Sequence, residues 1–274
     1  MGHKYQITLI SDSTGETLDR IFLALKSQFI KFDYEKKEYV FIRTEKQVDE
    51  IIKTSEKRNS IILYTIVETK LAKYISLKCN QKKIPNFSIL GNLILNFSKL
   101  LNMTATHIPS AQHVLDDDYY KRIEAIHFSM VHDDGVRAEE VNDADIVLLG
   151  VSRTSKTPTS IYLANRGYKT LNIPLVGKQE IPAALREKPD KFCVVGLIVE
   201  AERLSDIRNN RLELMKENKT SNYSNLNFIQ KEIENSKKLF KKYEWPVIDV
   251  TRKSVEETAA SVVKIFDINK RTKQ

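Results

Sequence analysis

Two cysteines in 274 residues, Cys79 and Cys193, are too few and too far apart for a disulfide framework, and neither stands at metal-ligand spacing from a partner. A zinc site is not expected, and a reducing compartment fits. No apolar run approaches the roughly 18 residues of a membrane span. The first residues lack an uninterrupted apolar segment of the export type, so a cytoplasmic protein away from membranes is expected. Met1-Gly2 opens like a myristoylation signal, but Gln6 stands where that pattern wants Ser or Thr. The formal charge of +8 comes without a basic block interleaved with aromatics, so a nucleic-acid partner is not expected, and anionic phosphate substrates explain the charge as well. Internal repeats and low-complexity tracts are missing too. His127 and His132 are five apart, a spacing that puts them on different helix faces and excludes a metal pair.

What the chain does have is 41% hydrophobic residues, enough for a sizeable core in one large or two modest domains. Short apolar runs alternate with helix-period segments. Gln6 to Ile10, Glu38 to Ile42, Ser60 to Val67 and Pro85 to Ile89 read as strands. Glu16 to Phe29, Thr44 to Lys57, Glu68 to Cys79 and Asn92 to Leu101 read as helices, the second opened by a capping box from Thr44 to Gln47. Such alternation implies crossover units and a parallel sheet. The segment Thr104 to Ala111, with Pro109, breaks the pattern, which divides the chain into an α/β domain over 1–105 and a second over 106–274. In the second half Tyr119, Ile123, Ile126 and Met130 trace one helix face behind Asp116 to Asp118. Leu171 to Leu175, Phe192 to Val199 and Val247 to Val250 read as strands, Glu202 to Lys242 as mostly helical, and Val255 to Phe266 as the stripe of a closing helix.

One stretch carries most of the chemistry. Ile146 to Leu149 is an apolar run of strand length, Gly150 to Thr157 is a polar loop, and Pro158 is suited to the first position of a helix that ends at Gly167. Strand, loop and helix start in that order aim backbone N–H groups and the positive end of a helix dipole at one spot, where an anion is favoured. Against the pattern G-x-x-x-x-G-K-[ST] the loop Gly150-Val151-Ser152-Arg153-Thr154-Ser155-Lys156-Thr157 keeps its first glycine and its Lys-Thr, but has Ser155 where the second glycine belongs. Ser155 fits there only if the position needs no positive φ. The bland alternative is that Ser155 or Thr157 caps the helix and Lys156 is solvated. Arg153 beside Lys156 favours a polyphosphate.

A second loop of this kind, Ser11-Asp12-Ser13-Thr14-Gly15, follows the first strand and is a candidate anion or substrate loop, with Asp12 at the strand's C-terminal end. Its alternative is a capping box of Ser13 with Glu16. Glu200, at the end of an apolar strand, is either an acid for a nucleotide's metal or the opening of the next helix. Arg203, Arg208 and Arg211 lie on that helix as candidate phosphate contacts, while Lys237, Lys238, Lys241 and Lys242 read as a solvent face. The expected fold class is therefore α/β, an N-terminal parallel-sheet domain followed by a P-loop kinase-like α/β domain.

The segment from Gly150 to Asn165, with Gly167-Tyr168-Lys169 and Asn172-Ile173-Pro174-Leu175, resembles the pyruvate, phosphate dikinase regulatory protein family. Matching wording recurs at Ser11 to Thr17, Tyr119 to Ala125, His132 to Gly135 and Trp245 to Thr251, so the resemblance covers nearly the whole chain. It implies a bifunctional enzyme that phosphorylates a threonine of the dikinase with ADP and removes that phosphate by phosphorolysis with inorganic phosphate, releasing pyrophosphate. In that reading Lys156 and Arg153 neutralise the transferring phosphoryl group, Thr157 holds Mg²⁺, and one of Asp134, Asp133, Asp12 and Asp249 is the base, with Asp134 preferred. Three rivals stay open: the same chemistry on phosphoenolpyruvate synthase, an ATP-dependent small-molecule kinase, and a non-catalytic phosphate- or nucleic-acid-binding regulator. Nothing in the sequence sets the oligomeric state, and a homo-oligomer is compatible with it.

Overall fold

The computed structural model describes residues 4–56, 59–113, 115–175, 181–215 and 222–272. The expected helix end at Lys57 and part of the stretch read as helical from Glu202 to Lys242 lie outside them. The chain divides into two compact units, Met1–Val114 and Leu115–Gln274. The sequence placed the division at residue 105. It falls later because the segment after the last helix of the first unit is bonded back to that unit: His107 Nδ1 donates to the Val67 carbonyl (2.7 Å) and Ser110 Oγ to Ser13 Oγ (3.0 Å).

The first unit runs β1 (Tyr5–Ser11), α1 (Glu16–Lys26), β2 (Tyr34–Tyr39), α2 (Glu45–Ser55), β3 (Ser60–Thr65), α3 (Thr69–Gln81), β4 (Asn86–Ser88) and α4 (Gly91–Leu101). Its described strands form a parallel sheet in the order β2-β1-β3-β4, with Gln6 opposite both Glu35 and Ser60. Alternation along β1 divides the core: Ile7 and Leu9 pack with Leu18 and Phe22 of α1, whereas Ile10 packs with Val48, Ile51 and Ile75 of α2 and α3. The capping box at α2 is present, Thr44 Oγ1 accepting the Gln47 N–H (3.3 Å) and Gln47 Oε1 accepting the Thr44 N–H (3.1 Å). The second strand lies at Tyr34–Tyr39 rather than at Glu38 to Ile42. It is an edge strand carrying Glu35, Lys36, Lys37 and Glu38, and such charge is how edges avoid unwanted pairing while hiding them from a search for apolar runs.

The second unit runs α5 (Asp117–Val131), β5 (Ile146–Gly150), α6 (Lys156–Ala164), β6 (Thr170–Pro174), α7 (Ala183–Glu187), β7 (Val194–Ile198), α8 (Ala201–Met215), α9 (Leu226–Lys242), β8 (Val247–Asp249) and α10 (Val255–Thr272). Its sheet is also parallel and has the same order of crossing, β6-β5-β7-β8. Strand β5 is buried along its whole length. Ile146 and Leu148 join the core with Leu163, Ile229 and Val262, and Val147 and Leu149 the opposite one with Phe128, Leu185 and Trp245. Both faces are covered, so the strand reads as an unbroken apolar run. Each such side chain contributes about 1.5–3 kcal/mol on burial.

The face of α5 was misread. Ala125, Phe128 and Ser129 are buried, while Ile123 and Met130 are 48% and 67% exposed. Ser129 is drawn inward because its Oγ accepts the Thr170 N–H at the start of β6 (3.0 Å). The helix after the polar loop starts at Lys156, so Pro158 is its third residue, within the first turn where a missing N–H costs no helical bond. Gly167 ends that segment at φ 87° as expected.

Gly196 in β7 faces the Phe240 ring, and a Cβ there would lie 2.7 Å from Cδ2 and Cε2. Because Phe240 is fully buried, Gly196→Ala should cost about 1–3 kcal/mol by overpacking. The urea midpoint should fall with the m-value unchanged.

Candidate functional site

In each unit the chain leaves its first strand toward one side of the sheet and returns to pair on the other, β1 lying between β2 and β3 and β5 between β6 and β7. The loops leaving those strands therefore diverge, and the crevice between them at the strands' C-terminal ends is where open α/β sheets bind ligands. The two loops singled out in the sequence, Ser11 to Gly15 and Gly150 to Thr157, occupy these two positions.

The loop after β5 is tightly self-bonded. Thr154 Oγ1 and Lys156 Nζ both donate to the Val151 carbonyl, each at 3.0 Å. Gly150 is required for space: a Cβ would sit 2.6 Å from the Leu197 carbonyl oxygen and 2.7 Å from Thr154 Oγ1. Ser155 corrects the sequence reading, because the position does need a positive φ and Ser155 takes it, at 59°; Arg153 is likewise left-handed, at 74°. Neither proposed cap forms. Ser155 occupies the cap position without a side-chain bond to the helix, and the Thr157 hydroxyl donates instead to Asp133 Oδ1 (3.0 Å). The start of α6 thus keeps its dipole and its first N–H groups directed at the crevice.

Lys156 is 5% exposed, which removes the solvated alternative. Burial, the largest cause, lowers its pKa to about 8 against the opposing charges of Asp134 and Asp133, and Arg208 and Arg153 add to the lowering. The two carboxylates come from a 3-10 turn, Asp133–Gly135, after α5. Asp134 is exposed in a left-handed conformation (φ 51°). Asp133 Oδ1 accepts from Thr157 and from Asn172 Nδ2, and Asn172 Nδ2 also reaches Thr157 Oγ1 (3.0 Å). Asn172 is fully buried on β6, and among the described residues its Oδ1 has no hydrogen-bond partner. His132 braces the turn from behind. It is buried and stacked on Phe128, its Nδ1 faces the Phe128 carbonyl (2.7 Å), its Nε2 faces Glu140 Oε2 (2.9 Å), and its own carbonyl accepts the Asn172 N–H (3.4 Å).

Of the three arginines on α8, Arg203 and Arg211 are exposed, and Arg208 is 1% exposed. Rather than being solvated, Arg208 bonds the Ser152 carbonyl (3.1 Å), the Tyr223 carbonyl (2.8 Å) and Glu232 Oε2 (2.8 Å). Glu200 is exposed and opens α8, its carbonyl accepting the Leu204 N–H. Asp249 Oδ1 accepts from the Thr251 N–H and hydroxyl, bonds that hold its pKa down despite partial burial. Two strand spacings separate β8 from β5, roughly 10 Å, which sets Asp249 apart from the Lys156 cluster. Sequence reasoning missed Asn172, Tyr223 and Glu140. Asn172 stood in a segment of the resemblance without a role; the pairing of β6 with β5 brings it in, the bond to His132 brings in Glu140, and the return of the chain after α8 brings in Tyr223.

In the first unit, Ser11 to Thr17, Thr65, Val67 and Ser110 line a cavity of about 200 Å³. The expected capping box of Ser13 with Glu16 does not form, since α1 starts after Gly15, at φ 82°, without a side-chain cap, and Ser13 Oγ accepts from Ser110 instead. Asp12 is 3% exposed and its Oδ2 accepts the Val67 N–H (2.7 Å). Burial raises its pKa, opposed by that bond, by its own backbone N–H and by Arg43. No group of three or more His, Cys, Asp or Glu side chains suited to a metal occurs among the described residues, and none of their helices is long and apolar enough to cross a membrane.

A buried cation at a helix start, with two carboxylates beside it, is an arrangement suited to phosphoryl transfer. The model of the kinase/pyrophosphorylase family matches residues 7–263, and the chain belongs to that family. Among its relatives is a protein of Pelagibacter ubique (strain HTCC1062) named "Putative pyruvate, phosphate dikinase regulatory protein", 63% identical over 98% of this chain and 99% of its own. Proteins of the same name from Bradyrhizobium diazoefficiens (40% identical, covering 98% and 96%) and Chelativorans sp. (strain BNC1) (42%, covering 95% and 96%) match along the same length. A solved chain described as VinN aligns with a TM-score of 0.23 at 11% identity, over 76% of this chain and 52% of that one, too low a similarity to bear on the fold.

An anion seated against Lys156 must raise its lowered pKa, so binding above pH 8 takes up a proton. With a free-site value of about 8, an appreciable fraction of the lysines is neutral at pH 8.5. Calorimetry of ADP binding at that pH, in two buffers of different ionisation enthalpy, should give an uptake approaching that fraction, and Lys156→Met should abolish it. Zero uptake by the wild type would mean that the anion does not meet Lys156.

Proposed function

We propose that this kinase/pyrophosphorylase uses the Gly150 to Thr157 loop to phosphorylate a threonine of pyruvate, phosphate dikinase with ADP, and the same loop to remove that phosphate with inorganic phosphate. The observation carrying the assignment is Lys156, a buried ammonium at the first position of α6 with Asp133 and Asp134 beside it. The target follows from the name of relatives that match end to end, and the donor from the family resemblance.

In the forward direction the threonine hydroxyl attacks the terminal phosphorus of ADP, its proton passes to Asp134, and the nucleoside monophosphate leaves. Asp134 is preferred over Asp133 because it is exposed to an incoming partner, whereas Asp133 is engaged by Thr157 and Asn172. The α6 N–H groups, Lys156 and Arg153 balance the charge on the transferring group. In reverse, an oxygen of inorganic phosphate attacks the phosphothreonine phosphorus to form pyrophosphate, the bond from phosphorus to the threonine oxygen breaks, and that oxygen leaves taking a proton from Asp134. The anion held by the loop is a phosphate group of similar shape in both directions, so one cradle serves both.

The residues present fit Mg²⁺. Thr157 Oγ1 and Asp133 Oδ1, 3.0 Å apart at the start of α6, are hard oxygen donors of the type Mg²⁺ prefers and would hold it. When bound, the ion supplies charge neutralisation across the phosphates.

Incubating the protein and its target with labelled ADP or ATP tests the donor: transfer from ADP is expected, and transfer from ATP alone would favour a small-molecule kinase. Lys156→Ala should lower both reactions about 10²–10³-fold while leaving the protein folded. Phosphorolysis that survives in this variant and disappears in Asp12→Ala would move the second reaction to the first unit.

A further inference from the structure

We propose that Tyr223 is a positioning residue for the phosphate loop, holding the Arg153 guanidinium by its Nε so that the two Nη groups are left as a fork for the bound phosphate. The inference rests on the phosphate reading of that loop. Arg153 is an exposed side chain on a backbone at φ 74°, in a conformation a bulky residue seldom adopts. Left alone, such a side chain would lose much rotamer freedom on meeting an anion. Its Nε instead donates to Tyr223 Oη at 3.3 Å, and Tyr223 Oη lies 3.5 Å from Ser152 Oγ, so one phenol touches two consecutive residues of the loop. Among the described residues the Arg153 Nη groups have no hydrogen-bond partner. With Nε taken, they are the edge of the guanidinium that remains for the two-pronged bonding arginine makes to phosphate.

Tyr223 can hold because it is itself held. Its carbonyl accepts Arg208 Nη1 (2.8 Å), its ring lies 4.6 Å from the Arg208 guanidinium carbon, and the next residue, Ser224, accepts Ser205 Oγ at its carbonyl (2.9 Å). Arg208 is fixed in turn by Glu232 and by the Ser152 carbonyl, so loop, tyrosine and the helices α8 and α9 share one buried cation. Burial raises the phenol's pKa, yet the bonds with Ser152 and Arg153 and the charges of Arg153 and Arg208 outweigh it and bring the pKa below its ordinary value. A phenol polarised in this way is a better acceptor for Arg153 than a neutral hydroxyl in water.

The test is a double-mutant cycle on anion affinity, with ADP and inorganic phosphate as calorimetric probes of the full chain. Tyr223→Phe keeps the ring and removes the hydroxyl, and should weaken both ligands about three- to tenfold, the range for one hydrogen bond, without moving the melting temperature. In an Arg153→Ala background the same change should have no further effect. An equal loss in both backgrounds would show that the phenol supports the fold rather than Arg153, and an unchanged affinity in Tyr223→Phe alone would also overturn the proposal. If Arg153→Ala itself leaves both affinities unchanged, the phosphate reading of the loop fails, an outcome distinct from the failure of Tyr223.

Discussion

Holding a lysine ammonium almost out of water is the constraint that the second unit is arranged around. Desolvation alone would discharge the group, and its pKa does fall to about 8. It stays cationic at neutral pH because it donates a hydrogen bond to the Val151 carbonyl and two carboxylates stand nearby. Those partners arrive from three directions. The carbonyl belongs to the loop leaving β5, the acids come from the turn after α5, and Asn172 on β6 bonds both Asp133 and Thr157. The exposed cation Arg153 and the buried one Arg208 push the other way, so the ammonium is poised, and an arriving dianion changes the balance more than it would at a solvated lysine.

Backbone strain enters for the same reason. Arg153, Ser155, Asp134 and Arg137 are all left-handed without being glycine, and all lie in the loop or in the segment bearing the two acids. Such conformations cost roughly 1 kcal/mol each and persist only where the surroundings over-determine them. Here the surroundings are identifiable. Arg208 fixes the loop through the Ser152 carbonyl, and His132, bonded to Glu140 and stacked on Phe128, fixes the turn.

Much of this was legible in the sequence, for a physical reason that also explains the gaps. Elements whose identity depends on neighbours in the chain read well: β5 as a double-faced strand, Gly167 as a helix end, the Thr44 cap with Gln47. Features that depend on neighbours in space did not. The loop's second glycine position reads as one that must do without a positive φ because Ser155 carries a Cβ, yet the bonds around it supply what the residue's own preference lacks. The polar edge strand β2 was misplaced and the inward Ser129 of α5 went unread because a cross-strand or cross-element bond, not apolar periodicity, decides them. Arg208 is the sharpest case. An arginine within a charged helix reads as solvated, and only Ser152, Glu232 and Tyr223, 56, 24 and 15 residues away, make it a buried support.

The two units show how little of the chemistry resides in the topology. Both sheets cross in the same order, both place a loop at the switch point, and both loops enter a helix through a left-handed residue, Gly15 in one and Ser155 in the other. The residue after that point is Glu16 in the first unit and Lys156 in the second. In the first, a carboxylate, Asp12, is the buried titratable group at the loop, and burial pushes it toward neutrality; in the second it is an ammonium facing two acids. Charge at a helix N-terminus favours anions, and a lysine adds to that field where a glutamate subtracts from it. A fold of this order therefore offers two crevices of like topology whose loops carry different titratable groups. The charge of single residues at the helix start, rather than the topology, is what supports the proposed placement of phosphate transfer in the second.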